Sequence, residues 1–163
     1  MEKTKQYKTR IDLDPETREQ LVALLNQQLA DTFDLYSQTK QAHWNVKGPQ
    51  FFQLHELFDK LATDILVYVD DIAERVTTLG GTALGTSKMA AKASRLEDYP
   101  ASVVGGKESL ETLIDRYATL AASTREAIDT SDELGDADTA DLFTGLSRTV
   151  DKSLWFLEAH LQA

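Results

Sequence analysis

Helix-breaking residues are few in this chain and they cluster, which limits its fold more than any other feature. Proline occurs at three positions and glycine at eight of 163, and nearly all fall at Gly48-Pro49, Gly80-Gly81, Gly85, Pro100, Gly105-Gly106 and Gly135. The long stretches between these joints are free to be helical, so the fold class is all-α. Asp14-Pro15-Glu16 reads as a helix start: Asp caps free N–H groups, Pro is preset for the first turn, and Glu suits the positive helix end. The spacing predicts a first helix over 15–46, stopped by Gly48-Pro49, and a second over 51–79, stopped by Gly80-Gly81. The joint between them is short, so they should be antiparallel neighbours. Residues 81–106 read as irregular except for a short helix at 87–93, and they are long enough to cross a bundle from end to end. A third helix is expected over 107–130 and a fourth over 138–162, after the Gly135-Asp136 turn. The division is a basic N-terminal tail, residues 1–14, and one bundle domain, residues 15–163.

Composition removes several function classes. Hydrophobic residues at 42% and charged residues at 27% suit a globular core and not a disordered chain. A net charge of -10 argues against a surface wholly dedicated to nucleic acid. The absence of Cys rules out disulfides, thiolate zinc sites, iron–sulfur clusters and cysteine nucleophiles, so any metal must use N and O ligands. No apolar run nears the roughly 20 residues that span a bilayer. The N-terminal MEKTKQYKTR lacks the apolar stretch of a signal peptide. The expectation is a cytoplasmic protein with no membrane partner.

The second helix carries two stripes. Leu54, Leu57, Phe58, Leu61, Ile65, Tyr68, Val69, Ile72, Val76 and Leu79 share one core-facing sector. With His55 as zero, Asp59 lies at about 40°, Asp70 at about 60° and Glu74 at about 100°, a separate sector that also holds Ala62, Leu66 and Ala73. Charged residues on a helix are usually a wet face, but this spacing suggests more. His55 and Glu74 stand about 28 Å apart along the helix and Asp59 and Asp70 about 16 Å, too far to close around one ion. Both pairs nevertheless share a midpoint, between Asp64 and Ile65. Two copies crossing antiparallel there would bring His55 and Asp59 of one chain to Glu74 and Asp70 of the other, giving two equivalent intersubunit metal sites. His43, just before the joint that leads back to His55, belongs with them. The Glu-x-x-His pairs of an intrachain di-iron bundle are absent, because Lys40, Phe52 and Leu157 stand three before the three histidines. A His-Glu-x-x-His zinc protease is absent too.

Four long helices with one long crossover carrying a short extra helix describe a ferritin-like four-helix bundle. Lys40-Gln41-Ala42-His43-Trp44-Asn45-Val46-Lys47-Gly48, His55-Glu56-x-x-Asp59, Asp70, and Ala73-Glu74-Arg75 ahead of Leu79-Gly80-Gly81 resemble the Dps proteins (DNA-binding proteins from starved cells). The likeness runs on through Ala83-Leu84-Gly85-Thr86, Asp115-Arg116-Tyr117, Asp138-Thr139-Ala140-Asp141 and Asp151-Lys152-x-Leu154-Trp155-Phe156. It implies a ferroxidase that oxidises Fe(II), preferably with hydrogen peroxide, stores Fe(III) mineral in a hollow homo-dodecamer and so limits oxidative damage. The implied ligands are His43, His55 and Asp59 from one subunit with Asp70 and Glu74 from its two-fold mate. Asp59 and Glu74 are expected to bind directly, the histidines directly or through water. Carboxylates suit Fe(III) and imidazole accommodates Fe(II), but the donor set also accepts zinc or manganese.

Other residues carry weaker expectations. Trp44 is a candidate electron donor through the resemblance, and Trp155 resembles a second family Trp or simply packs. The lack of Cys and the single internal Met89 would limit sulfur oxidation. Asp136, Asp138 and Asp141 resemble the acids of a three-fold pore that focuses Fe(II) inward, and taken alone are ordinary acids at a helix start. Arg75 is expected to pair with an acid such as Asp151, and His160 to be exposed and unliganded. Lys3, Lys5, Lys8 and Arg10 make the tail basic, and twelve copies would add avidity for DNA, which would associate the protein with the nucleoid. Two other readings therefore stand beside the storage shell: a DNA-compacting protein with a secondary metal site, and a zinc-binding structural dimer.

Overall fold

The computed structural model describes residues 4–162. Five helices account for most of them: α1 (Pro15–Asn45), α2 (Phe51–Thr78), α3 (Ser87–Ala93), α4 (Gly106–Glu133) and α5 (Ala137–Ala159). Asp14 starts α1, accepting from the backbone N–H of Glu16 at 2.9 Å and of Thr17 at 3.0 Å. Gly48, Gly80 and Gly135 take positive φ at the ends of α1, α2 and α4. The helix over 107–130 runs three residues further than expected. Thr130 and Ser131 turn their hydroxyls back to the carbonyls of Glu126 and Ala127, and the chain stops only where Gly135 allows φ of 78°. The last helix ends at Ala159, ahead of the expected 162.

The four long helices make the bundle, with α1 packed chiefly on α2 and α4 on α5. Leu54, Phe58, Leu61, Ile65, Ile72 and Val76 of α2 are buried, and Leu57, Tyr68 and Val69 pack at the edge of the same core. Each fully buried Leu, Ile or Phe contributes about 1.5–3 kcal/mol relative to exposure. That one-sided burial fixes the rotation of α2, and so leaves its second sector pointing out of the bundle.

The crossover from Gly81 to Gly105 is held by side chains of α1 bonded to its backbone. Asn26 accepts from the Leu84 N–H and donates to the Thr82 carbonyl. Gln27 donates to the Ala93 carbonyl and Gln38 to that of Glu97. Asp31, 1% exposed, accepts from both the backbone and the guanidinium of Arg95, while Asp34 accepts from the Ser94 hydroxyl. Arg116 of α4 closes the run by donating to the carbonyls of Glu97 and Asp98. These bonds satisfy a long segment that has no ladder of its own. Near its end, the Lys47 N–H donates to the Val104 carbonyl, tying the crossover to the α1–α2 joint.

The tail docks on the bundle over part of its length. The Tyr7 N–H donates to the Gly80 carbonyl at 2.8 Å, and Thr82 donates to the Lys5 carbonyl at 2.8 Å. A Cβ at Gly80 would meet the Tyr7 carbonyl oxygen at 2.4 Å, so this seat requires glycine as well as its φ of 85°. Lys5, Lys8 and Arg10 are exposed, and Lys3 lies outside the described residues.

Candidate metal centre

The end of α1 and the start of α2 place His43 and His55 face to face across the joint. The two rings stack with centroids 3.8 Å apart and planes 22° from parallel. Each backs onto the other's backbone: His43 Nδ1 bonds the His55 carbonyl at 2.8 Å, and His55 Nδ1 bonds the His43 carbonyl at 2.9 Å. A carbonyl only accepts, so both Nδ1 atoms carry the proton, and in the neutral rings both Nε2 atoms keep a free lone pair. This is how metal-binding histidines are oriented, with a carbonyl behind the ring fixing tautomer and direction.

Asp59, one turn beyond His55 on α2, completes the group. Its Oδ1 lies 3.9 Å from His43 Nε2, too far for a hydrogen bond but within the span of two metal–ligand bonds of about 2.1 Å each. His43 Nε2 and Asp59 Oδ1 are thus spaced so that the two atoms could share one ion. Lys40 of α1 donates to the same oxygen at 2.5 Å. That hydrogen bond, opposed by partial desolvation and helped by the charge of Lys40, holds the Asp59 carboxyl below the usual carboxylate range. Asp59 stays half exposed, so it remains open from outside.

Asp70 and Glu74 do not join this group within the chain. Both are exposed further along α2, and among the described residues no set of three His, Asp or Glu side chains in one chain surrounds a metal position. The same outward sector exposes apolar surface, with Leu66 at 42% and Val67 at 56%. Trp44 is 63% exposed beside the site, one turn after Lys40.

Three expectations change. Arg75 pairs with Asp136 and not with Asp151, which binds Arg125 at 2.6 Å. Asp136 is correspondingly not available as a pore acid: it is 4% exposed, takes two bonds from Arg75 Nη2 at 2.7 and 2.8 Å, and caps α5. Burial pushes its carboxyl up, but Arg75 and Thr139 outweigh that and hold it low. Asp138 and Asp141 are exposed. Trp155 is largely uncovered within the chain, 60% exposed with its ring centroid 5.0 Å from that of Phe156. His160 is exposed as expected, with Nδ1 bonded to the Phe156 carbonyl. Lys40 is the residue near the centre to which the sequence assigned no role; its spacing of three from His43 was the available signal.

The chain is similar to known proteins over nearly its whole length. A family model described as the ferritin-like domain matches residues 22–163. The DNA protection during starvation protein of Agrobacterium fabrum is 49% identical over 158 residues, covering 97% of this chain and 98% of the relative. General stress protein 20U of Bacillus subtilis is 33% identical over 147 residues, covering 88% and 98%. Among solved structures, DpsC from Streptomyces coelicolor superimposes with a TM-score of 0.94 at 32% identity, covering 100% of this chain and 95% of that one. The Dps protein of Vibrio cholerae, described as a member of a broad superfamily of ferritin-like diiron-carboxylate proteins, gives 0.89 at 29% identity, covering 98% and 100%.

Proposed function

The chain belongs to the ferritin-like family and within it to the Dps proteins, and from that membership we propose that it is a peroxide-dependent ferroxidase that stores iron in a hollow dodecamer. The observation that carries the reading is the crossed pair of imidazoles, both Nδ1 atoms occupied by carbonyls and one Nε2 facing Asp59. In this reading His43, His55 and Asp59 bind Fe(II) from one subunit, while Asp70 and Glu74 bind from its mate. Two ferrous ions each give one electron to peroxide, whose O–O bond breaks to leave two hydroxides. The carboxylates then favour the ferric product. Exposed Leu66 and Val67 support the two-fold contact, as apolar surface that a mate would cover. Asp138 and Asp141 serve as the pore acids, and Trp44 as an electron donor when one electron is missing. Among the described residues no helix is long and apolar enough to cross a membrane, in keeping with a cytoplasmic place.

Native mass with metal content, and Fe(II) oxidation followed optically after adding peroxide, test this together. The expected result is a dodecameric mass and oxidation slowed at least about 100-fold in both Asp59→Ala and Glu74→Ala, since each removes a direct ligand. Unchanged rates in both variants, or full activity in a monomer, would defeat the ligand assignment.

The relatives' name and the basic tail favour a second reading, DNA compaction. Against it stands the docking of Lys5 and Tyr7 on the Gly80–Thr82 corner, which leaves less chain free to reach a duplex. Gel shift across a salt series, with and without residues 1–10, decides it: no binding at low salt removes this reading, and binding lost on truncation supports it.

A further inference from the structure

A polar seam runs through the middle of the bundle between α1 and α4, away from the metal centre. Thr39 bonds Tyr117 and Gln28 bonds Ser123, so the two helices lie antiparallel. The buried Thr39 and Tyr117 stand opposite one another, their hydroxyls 3.2 Å apart. Two turns back along α1 and two turns onward along α4 come Thr32 and Thr124, which therefore face each other on the same seam, both fully buried. Gln28, one turn before Thr32 and also buried, reaches across to α4, where its Nε2 donates to the Ser123 carbonyl at 3.0 Å. A carbonyl only accepts, so the amide is fixed this way round and Gln28 Oε1 is a buried acceptor. Gln28 Oε1, Thr32 Oγ1 and Thr124 Oγ1 have no hydrogen-bond partner among the protein's own groups. Other helical hydroxyls turn back to the carbonyl four residues earlier, as those of Thr39, Thr119, Thr130 and Ser131 do. Those of Thr32 and Thr124 do not.

We propose that Gln28, Thr32 and Thr124 form a buried binding site for one neutral hydroxylic molecule, and that its occupant in solution is water. Gln28 Oε1 needs a donor, whereas each threonine hydroxyl donates or accepts, so the occupant must be able to do both. An ion does not suit the site, because three oxygens without formal charge cannot balance one away from solvent. A bridging molecule satisfies all three at once, which is the ordinary work of an internal water. Water, being the solvent, outcompetes rarer hydroxylic solutes. Entry is from a cavity of about 340 Å³ that opens to solvent beside the exposed Thr119 and Glu126. Ser123, whose carbonyl holds the Gln28 amide, and Asp31, next to Thr32, stand on its wall. The bound molecule acts as a register pin, since a slip of one residue would swing either threonine about 100° off the seam.

A high-resolution crystal structure of the assembled protein, together with thermal melting of valine variants, tests this. The structure is expected to show one ordered water within about 3.2 Å of all three oxygens. Thr32→Val and Thr124→Val keep the branched shape and lose the hydroxyl, and the sign of their effect separates two cases. Where the hydroxyls share a water, each variant should melt about 2–4 °C below wild type. The double variant should then fall by less than the two shifts together, because the first substitution has already loosened the water. Where the hydroxyls are merely unpartnered, removing one relieves a buried polar group and the variant melts at or above wild type. An empty position or a metal ion there, a single variant melting at or above wild type, or a strictly additive double variant each overturns the proposal. Native mass confirms assembly of each variant, and the wild-type structure decides the point should a valine variant fail to assemble.

Discussion

Two carboxylate–cation pairs flank α2 about 24 Å apart along its axis, and they differ in every respect except charge. Arg75–Asp136 is closed: the guanidinium donates to both carboxylate oxygens and to the Thr139 hydroxyl, and Asp136 also accepts from the α5 backbone. The two side chains are 15% and 5% exposed. Lys40–Asp59 is open: the lysine meets one oxygen, and Asp59 is 50% exposed. A carboxylate with every lone pair engaged and no access to water fastens helices together, whereas one held at a single oxygen and open to solvent is ready to change partner. The acids of this chain are sorted into structure and chemistry by that difference, not by their sequence neighbours.

The largest expected effect breaks the closed pair. Arg75→Leu should cost about 3 kcal/mol or more in urea unfolding, because it leaves a buried carboxylate unpaired. The loss depends on pH with a definite sign. Asp136 is held below its unfolded value of about 3.9, so its contribution is fully present above that pH and disappears as pH falls through the depressed folded value. The gap between wild type and Arg75→Leu therefore narrows in acid, and a gap constant from neutral pH to the acid limit would show that Asp136 is not the group responsible.

Asp59→Ala sharpens the contrast from the other side. Its stability should stay within about 0.5 kcal/mol of wild type, as expected for a half-exposed pair screened by solvent, while Fe(II) oxidation collapses. An Asp59→Ala protein as unstable as Arg75→Leu would erase the distinction. The smallest effect belongs to Lys60–Asp64, an exposed i,i+4 pair on the same helix. Lys60→Ala should change stability by about 0.3 kcal/mol and leave metal binding alone, providing a baseline for a pair that does neither job.

Much of the bundle was legible because its boundaries are local chemistry. Asp14-Pro15, Gly48-Pro49 and Gly80-Gly81 mark helix ends that match the observed ones to within a residue or so. The route of the crossover was not legible. Asn26, Gln27, Asp31, Asp34 and Gln38 of α1 grip the backbone or side chains of a segment with no periodicity, so no pattern in the sequence matches them to it. The partner of Arg75 escaped for a related reason, since it lies 61 positions away at a helix cap whose acid looked like one of a surface cluster. The grouping of His43, His55 and Asp59 could be found because helical geometry and a short joint determine it. Lys40 was overlooked because a lysine beside ligands looks like solvated charge until its depth and its 2.5 Å contact are known.

The exchange of bonds between His43 and His55 has a practical consequence. Each ring is aimed by the peptide group of the other and stacked on the other's face, so the pair forms a single machined part whose tolerance is the length of the joint between Val46 and Phe51. Lengthening that joint by one residue would misalign both imidazoles together.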